Sequence, residues 1–333
     1  MSILKDLKTC DVWSTVSQVQ DEVQWLADRT KGIGGSDIGA ICGVNLYSSA
    51  RQVYLSKVGM YEDSIAPSGA AVERMRFGHL LEPIVADEYA RRTGDKLCTC
   101  PAILIHREHK FALANVDRFI LDDDGKPIGV LECKTTGAFN KDAWDEADIP
   151  ISYLYQLQWY LFVTGLSVGA IACLVGGNTF YHYRVERNDE LINNVLIPKA
   201  KDFWYNNVAK LCAPDLSAND TEYVNEKYTD VAKNKEVFFE DSVTDDLACT
   251  VAQCKRNIKE LEKTMEAAQN RIKELLQDSE LGYTKNYIIK WSPRKQTRVD
   301  TDALKSRFPD VYLQCQKVIQ FRVMTIKGGV DND

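Results

Sequence analysis

No stretch of this 333-residue chain is apolar over the ~18 residues that a membrane-spanning helix needs. Its first residues, MSILKDLKTCDVWSTV, also lack the uninterrupted apolar run of a secretory leader, so the expected location is the cytoplasm. Ten cysteines are present but no C-x-x-C pair; the nearest neighbours are Cys98 with Cys100 and Cys249 with Cys254. A zinc or iron–sulfur centre needs grouped ligands, so buried, reduced thiols are the expectation. Internal repeats and low-complexity tracts are not evident either.

What the chain does contain is ordinary globular material, 45% apolar and 10% aromatic, enough for one large domain or two modest ones. The net charge of −7 is unevenly spread: residues 282–327 hold ten Lys or Arg against three Asp, a local +7, whereas residues 1–281 carry −12. An acidic body with a basic C-terminal module suits a protein that meets phosphate on one restricted surface. A basic face that serves only solubility fits the same charge.

Hydrophobic periodicity predicts a helix from Ser17 to about Lys31, with Val19, Val23 and Leu26 on one side, interrupted by GIGGSDIGAICG. Ser36 reads as the cap of a second helix. RFGHLLEPIVADEYARR, residues 76–92, predicts a helix with Leu81, Ile84, Val85 and Tyr89 as its apolar stripe and Gly94 as its stop. Strands are predicted at 102–106, 111–121 and IGVLECKT, the last two joined by a DDDGKP turn. The apolar helix ISYLYQLQWYLFVT ends at Gly165, and strands VGAIACLVG and TFYHYRVER follow. Such an order gives an α/β or α+β sandwich. Beyond it, a long charged helix from Thr244 to about Leu281 and a basic strand, helix, strand piece complete three segments: 1–240, 241–281 and 282–333.

The chemistry gathers at VLECKTTG, residues 130–137. Alternation along a strand puts Glu132 and Lys134 on one face and Cys133 on the other. They form either a salt bridge or a reactive pair. The predicted hairpin brings Asp117 beside Glu132, and two adjacent carboxylates repel unless a cation lies between them. Magnesium accepts hard oxygen ligands and binds phosphate oxygens as well, which would leave Lys134 to hold an attacking water or to stabilise charge on phosphorus. Gln156 and Tyr160 stand four apart on the apolar helix, with Tyr153 three before Gln156, and polar groups in so apolar a helix require partners.

Asp117 followed by Glu132-x-Lys134 matches the D…(D/E)xK signature of the PD-(D/E)xK nuclease superfamily, and Gln156 with Tyr160 matches the QxxxY motif of its RecB-type members. The segments WLADRTKGIGGSDIGAICG, RFGHLLEPIVADEYARRTG, ANVDRFI, GVLECKTT and YLYQLQWYLFVTG occur in the order and approximate spacing of the YqaJ-like viral recombinase family, the group of lambda-type exonucleases. The sequence resembles that family over roughly residues 20–190. The resemblance implies a restriction-endonuclease-like core, a central mixed sheet flanked by helices, with a C-terminal helical arm and a small α/β extension.

It further implies that Glu82, Asp117, Glu132 and the carbonyl of Cys133 hold Mg²⁺ (or Mn²⁺), that Lys134, Gln156 and Tyr160 serve catalysis, and that Arg29 and Ser36 hold a terminal 5′ phosphate. The implied activity is 5′→3′ digestion of one strand of linear duplex DNA. A 3′ single strand would remain for an annealing protein, with three subunits in a ring around the DNA. An endonuclease of the same superfamily and a catalytically inert DNA-binding accessory protein are the alternatives. The chain departs from the lambda pattern after residue 240, where the helical arm and basic module have no counterpart there.

Overall fold

The computed structural model describes residues 3–16, 20–60, 69–100, 102–145, 149–230, 232, 235–317 and 321–327. The chain divides into two compact units, Met1–Lys227 and Tyr228–Asp333.

The first unit opens with strand β1 (Cys10–Ser14) and helices α1 (Glu22–Arg29), α2 (Gly35–Ile41), α3 (Ala50–Lys57) and α4 (Gly69–Thr93). Strands β2 (Lys96–Thr99), β3 (Ile103–His106), β4 (Leu113–Ala114), β5 (Arg118–Leu121) and β6 (Pro127–Thr136) follow. Next come α5 (Asp142–Asp145), α6 (Ile151–Thr164), β7 (Val168–Val175) and β8 (Thr179–Glu186). A continuous helical stretch over 189–208, in which α7 (Asp189–Leu191) and α8 (Ile197–Asp202) alternate with π-helical turns, leads towards α9 (Thr221–Lys227).

The central sheet has the order β2-β5-β6-β7-β8. All its neighbours are antiparallel except β6 and β7, which run parallel because α6 carries the chain across between them. The sheet is therefore mixed and flanked by helices. On one face Val85, Ala86 and Tyr89 of α4 pack on Ile120, Leu131, Ala170 and Ala172; on the other, α6 covers Phe119 and Val130. A second, three-stranded sheet has the order β1-β3-β4.

Several local expectations change. The expected helix start at Ser17, and Val19, lie outside the described residues; α1 begins at Glu22, capped by the Asp21 carboxylate, which accepts from the Gln24 N–H at 3.0 Å. Trp25 is its buried side chain, while Val23 and Leu26 face outward. In α4 the described buried positions are Val85, Ala86 and Tyr89, with Ile84 exposed, so the stripe is rotated towards Ala86, the side that packs on the sheet. The predicted strand 111–121 is two strands, broken at 115–117. Of the ten cysteines, all are free thiols, but Cys212, Cys249, Cys254 and Cys315 are exposed.

His106 closes β3 and stacks on Phe162 at 4.6 Å between ring centres. Its Nδ1 accepts the backbone N–H groups of Glu108 (3.1 Å) and His109 (3.0 Å), which only the neutral ring can do. Burial, reinforced by His109, pulls its pKa from 6.5 to about 4. A base whose folded pKa is depressed contributes stability that is intact above pH 6.5 and lost as pH falls towards about 4, at most about 3 kcal/mol. Urea melts across this window should show that loss, and His106→Asn should flatten it; an unchanged slope would assign the acid sensitivity elsewhere.

The second unit holds α10 (Ser242–Leu276), a hairpin of β9 (Leu281–Tyr283) and β10 (Ile288–Lys290), and two short helices, α11 (Thr301–Arg307) and α12 (Pro309–Gln314). Leu247, Ile258, Leu261, Met265, Ile272 and Leu275 of α10 are exposed. The expected closing strand QFRVMTIK does not form over its described residues 321–327, which pair with no other strand.

No described helix is long and apolar enough to cross a membrane.

Candidate active site

The register of the β5–β6 hairpin builds the centre. Arg118 pairs with Leu131, so Asp117, one residue earlier, falls opposite Glu132. Asp117 thus lies in the break of the predicted strand 111–121, just before β5, and the DDDGKP turn lies at the far end of the hairpin. The Asp117 carboxylate accepts the Cys133 backbone N–H at 2.8 Å. Glu132 and Lys134 do share the face that α6 covers, whereas the Cys133 thiol packs with the α4 cluster on the other side.

Glu132 and Lys134 are in contact, Nζ to Oε1 2.6 Å. The bridge is real, and it is one strand of a larger network. Gln156 donates from Nε2 to Glu132 Oε1 (2.6 Å) and to the Tyr160 hydroxyl (3.0 Å), while its Oε1 accepts from Lys134 Nζ at 3.0 Å. The Lys134 ammonium also lies over the Tyr153 ring at 4.8 Å from its centre. Glu132 is 4% exposed and its second oxygen, Oε2, is buried without a partner. An ionised carboxylate oxygen left so is costly unless a cation completes it.

Electrostatics agree. Burial first, then the Glu132 and Glu82 carboxylates, push Asp117 well above its ordinary range. Burial likewise raises Glu132, against the opposing pull of Lys134. For Lys134, burial disfavours the charge, but Glu132 outweighs it and the net shift is upward. The Tyr160 hydroxyl is held well above its usual value by burial and then by Glu132 and Asp117. This pattern is excess negative charge in a dry place, and it is what hard, divalent cations neutralise.

Glu82 projects from α4 and pairs with Arg118, 2.6 Å from Nη1 to Oε1. Among the described residues no group of three or more His, Cys, Asp or Glu side chains is arranged to hold a metal ion. The donor set that fits a cation is the Asp117 and Glu132 pair; Glu82 is engaged by Arg118. Arg118 itself was legible only as a charge in VDRFI; its pairing with a residue 36 positions earlier has no local signal.

Arg29, the last residue of α1, donates from Nη2 to the Ser36 hydroxyl at 2.9 Å and stacks over Trp25, 4.5 Å from guanidinium to ring centre. Ser36 is not the cap expected of it. Gly34 takes the cap position, its N–H held by Asp37 at 2.8 Å, so the Ser36 hydroxyl in the first turn is left to meet Arg29. Lys57 of α3 fixes the pair's supports by bonding the Asp37 carboxylate (2.7 Å) and the Arg29 carbonyl (3.0 Å).

The GIGG turn is stitched down as well. Ile33 exchanges hydrogen bonds with Phe111 (2.6 Å) and Leu113 (2.9 Å), and Trp159 of α6 donates to the carbonyls of Ile33 and Leu113. A Cβ on Gly35 would lie 2.4 Å from the Tyr160 ring, so only glycine lets α2 approach this closely. Arg29, Gly34, Gly35, Ile103, Leu113, Asn115 and Tyr160 line a small hollow here. Tyr160 therefore belongs both to this hollow and to the Gln156 network.

The YqaJ-like viral recombinase domain matches residues 24–167 of the chain. The uncharacterized protein YqaJ of Bacillus subtilis (strain 168) is 38% identical over 309 residues, covering 91% of this chain and 93% of that protein. The chain belongs to the YqaJ-like family. Among solved structures, an alkaline exonuclease (LHK-Exo) from Laribacter hongkongensis is similar with a TM-score of 0.45 and 18% identity, covering 57% of this chain and 94% of its own. A phage-related exonuclease from Haemophilus somnus 129PT gives 0.41 and 14%, covering 54% and 96%. The residues that the YqaJ-like match spans include Arg29, Ser36, Glu82, Asp117, Glu132, Cys133, Lys134, Gln156 and Tyr160.

Proposed function

We propose that this YqaJ-like protein is a divalent-metal-dependent 5′→3′ exonuclease that degrades one strand of linear duplex DNA. The observation that carries the reading is the shared Tyr160: a hollow lined by Arg29, whose guanidinium also meets the Ser36 hydroxyl, abuts the network that holds Glu132 and Lys134. An anion site one side chain away from a carboxylate–lysine centre suits an enzyme that grips a 5′ phosphate and cuts the next linkage.

Asp117 and Glu132, with Glu82 and the Cys133 carbonyl, would hold Mg²⁺ or Mn²⁺. Bound there, the ion supplies Lewis-acid charge to the phosphate and lowers the pKa of a water. Lys134, fixed by Glu132, Gln156 and the Tyr153 ring, orients that water or offsets charge growing on the phosphoryl oxygens. Gln156 ties the lysine to the carboxylate so that both keep their angle, and Tyr160 carries that order to the end-binding hollow. The 3′ strand left behind suits capture by an annealing protein, and a ring of three subunits would explain processive action.

Duplex DNA labelled at one end or the other, incubated with and without magnesium, tests the reading. Mononucleotide release from 5′ ends of linear DNA, with closed circles untouched, is expected; cutting of circles would indicate an endonuclease, and inertness on both an accessory DNA-binding protein. Arg29→Ala should reduce the preference for a 5′-phosphorylated end over a 5′-hydroxyl end by about tenfold, the loss of one charge-assisted contact. An unchanged ratio would remove Arg29 from the end site.

A further inference from the structure

The basic segment within the C-terminal unit offers a surface that the proposed active site does not use. Residues 281–298, LGYTKNYIIKWSPRKQTR, contain five cations and no acid. They fold into the β9–β10 hairpin and a run without regular secondary structure after it. One face of the hairpin packs inward: Gly282 sits so tightly on Leu276, the buried end of α10, that a Cβ would lie 2.8 Å from it. The opposite face, by the register Tyr283 to Ile288 and Leu281 to Lys290, points outward.

The turn is fixed as well. Thr284 accepts the Tyr287 N–H on its hydroxyl and donates its own N–H to the Tyr287 carbonyl, both at 2.9 Å. Past the last strand, the Trp291 N–H reaches the Glu280 carbonyl and extends the register by one pair. Tyr283 and Tyr287, each 73% exposed, are therefore presented from an ordered hairpin. Among the described residues Lys285, Lys290, Arg294 and Lys295 have no acidic partner.

We infer that this hairpin and the run that follows bind single-stranded DNA. Exposed rings on a rigid support stack with bases, and unpaired cations beside them meet phosphates. A duplex would satisfy the cations alone, since its bases are stacked inside. A protein partner would have to leave four or more cations uncompensated or bring a matching acidic surface. The inference stands on this unit's own residues, although the single strand is also what the proposed reaction would leave.

The test uses the full chain in EDTA, so that it does not depend on cleavage. Fluorescence anisotropy would follow a labelled oligothymidylate of about 30 nucleotides with a 5′ hydroxyl, beside a blunt duplex carrying the same label. Tyr283→Ser with Tyr287→Ser should weaken binding of the single strand about tenfold or more and leave the duplex within about twofold. Lys285→Gln, Lys290→Gln and Lys295→Gln together should lower the salt slope for the single strand by about 2, three phosphate contacts at ~0.7 each. These lysines are exposed and support no packing, so they decide the matter even if the tyrosine variant melts early. Equal losses on both nucleic acids, an unchanged slope, or a wild-type chain that ignores the oligonucleotide but pairs with itself through this face would each overturn the inference.

Discussion

Lys134→Ala should slow release of nucleotides from linear duplex DNA by a factor on the order of 10² to 10³, the usual cost of removing one fixed charge from a centre where charge develops. Affinity for DNA in EDTA should change little, because the Lys134 ammonium is spent on Glu132 and Gln156. A second consequence accompanies the first. Lys134 is the counter-ion of a nearly buried carboxylate, so its loss also destabilises the fold, by less than the roughly 3–5 kcal/mol of a fully buried broken pair because Gln156 still donates to Glu132. The double change Lys134→Ala with Glu132→Gln should recover that stability and none of the activity. Recovery of both would make the pair a structural bridge and nothing more; cleavage retained by the single variant would remove Lys134 from the chemistry.

Asp117→Asn should do the opposite to stability. Asp117 is repelled by Glu132 and Glu82 in a desolvated place, and an amide oxygen there can still accept the Cys133 N–H. A carboxylate whose folded pKa is raised favours the fold below its ordinary range near 3.8, and that contribution is lost as pH climbs through the raised value. At neutral pH in EDTA the variant should therefore melt higher, by roughly 2–4 °C for about 1 kcal/mol relieved. Its activity should fall at least about a hundredfold, since one of the carboxylates proposed to hold the ion is gone. Wild-type protein should gain melting temperature on titration with Mg²⁺ or Mn²⁺, and the variant should gain much less. Equal gains in both proteins would place the ion away from Asp117. A variant less stable than wild type would mean that Asp117 is held by partners which offset the repulsion.

Much of the first unit was legible because its signals are local. The parity of a strand puts Glu132 and Lys134 on one face and Cys133 on the other without any knowledge of the fold, and the four-residue spacing of Gln156 and Tyr160 puts them together on a helix. The glycines at 94 and 165 ended their helices at positive φ as read. Ser36 was misread as a cap because a serine before an apolar helix usually is one; Gly34 took that place once Asp37 reached back to its N–H. The basic closing segment was read as strand, helix, strand, but alternating apolar residues make a strand only where another edge accepts its hydrogen bonds, and residues 321–327 have none.

By itself the sequence determined which residues carry charge and hydrogen-bonding groups, which of them share a face of one element, and where the positive charge of the chain concentrates. The tertiary structure decided what those groups meet: Arg118 at Glu82, Lys57 beneath Arg29 and Asp37, and Tyr160 between the hollow at Arg29 and the Gln156 network. Periodicity is written into consecutive residues, so it can be read directly. Contacts between residues 20 to 36 positions apart depend on where whole elements settle, and that is fixed by packing a common core, not by any short stretch of chain.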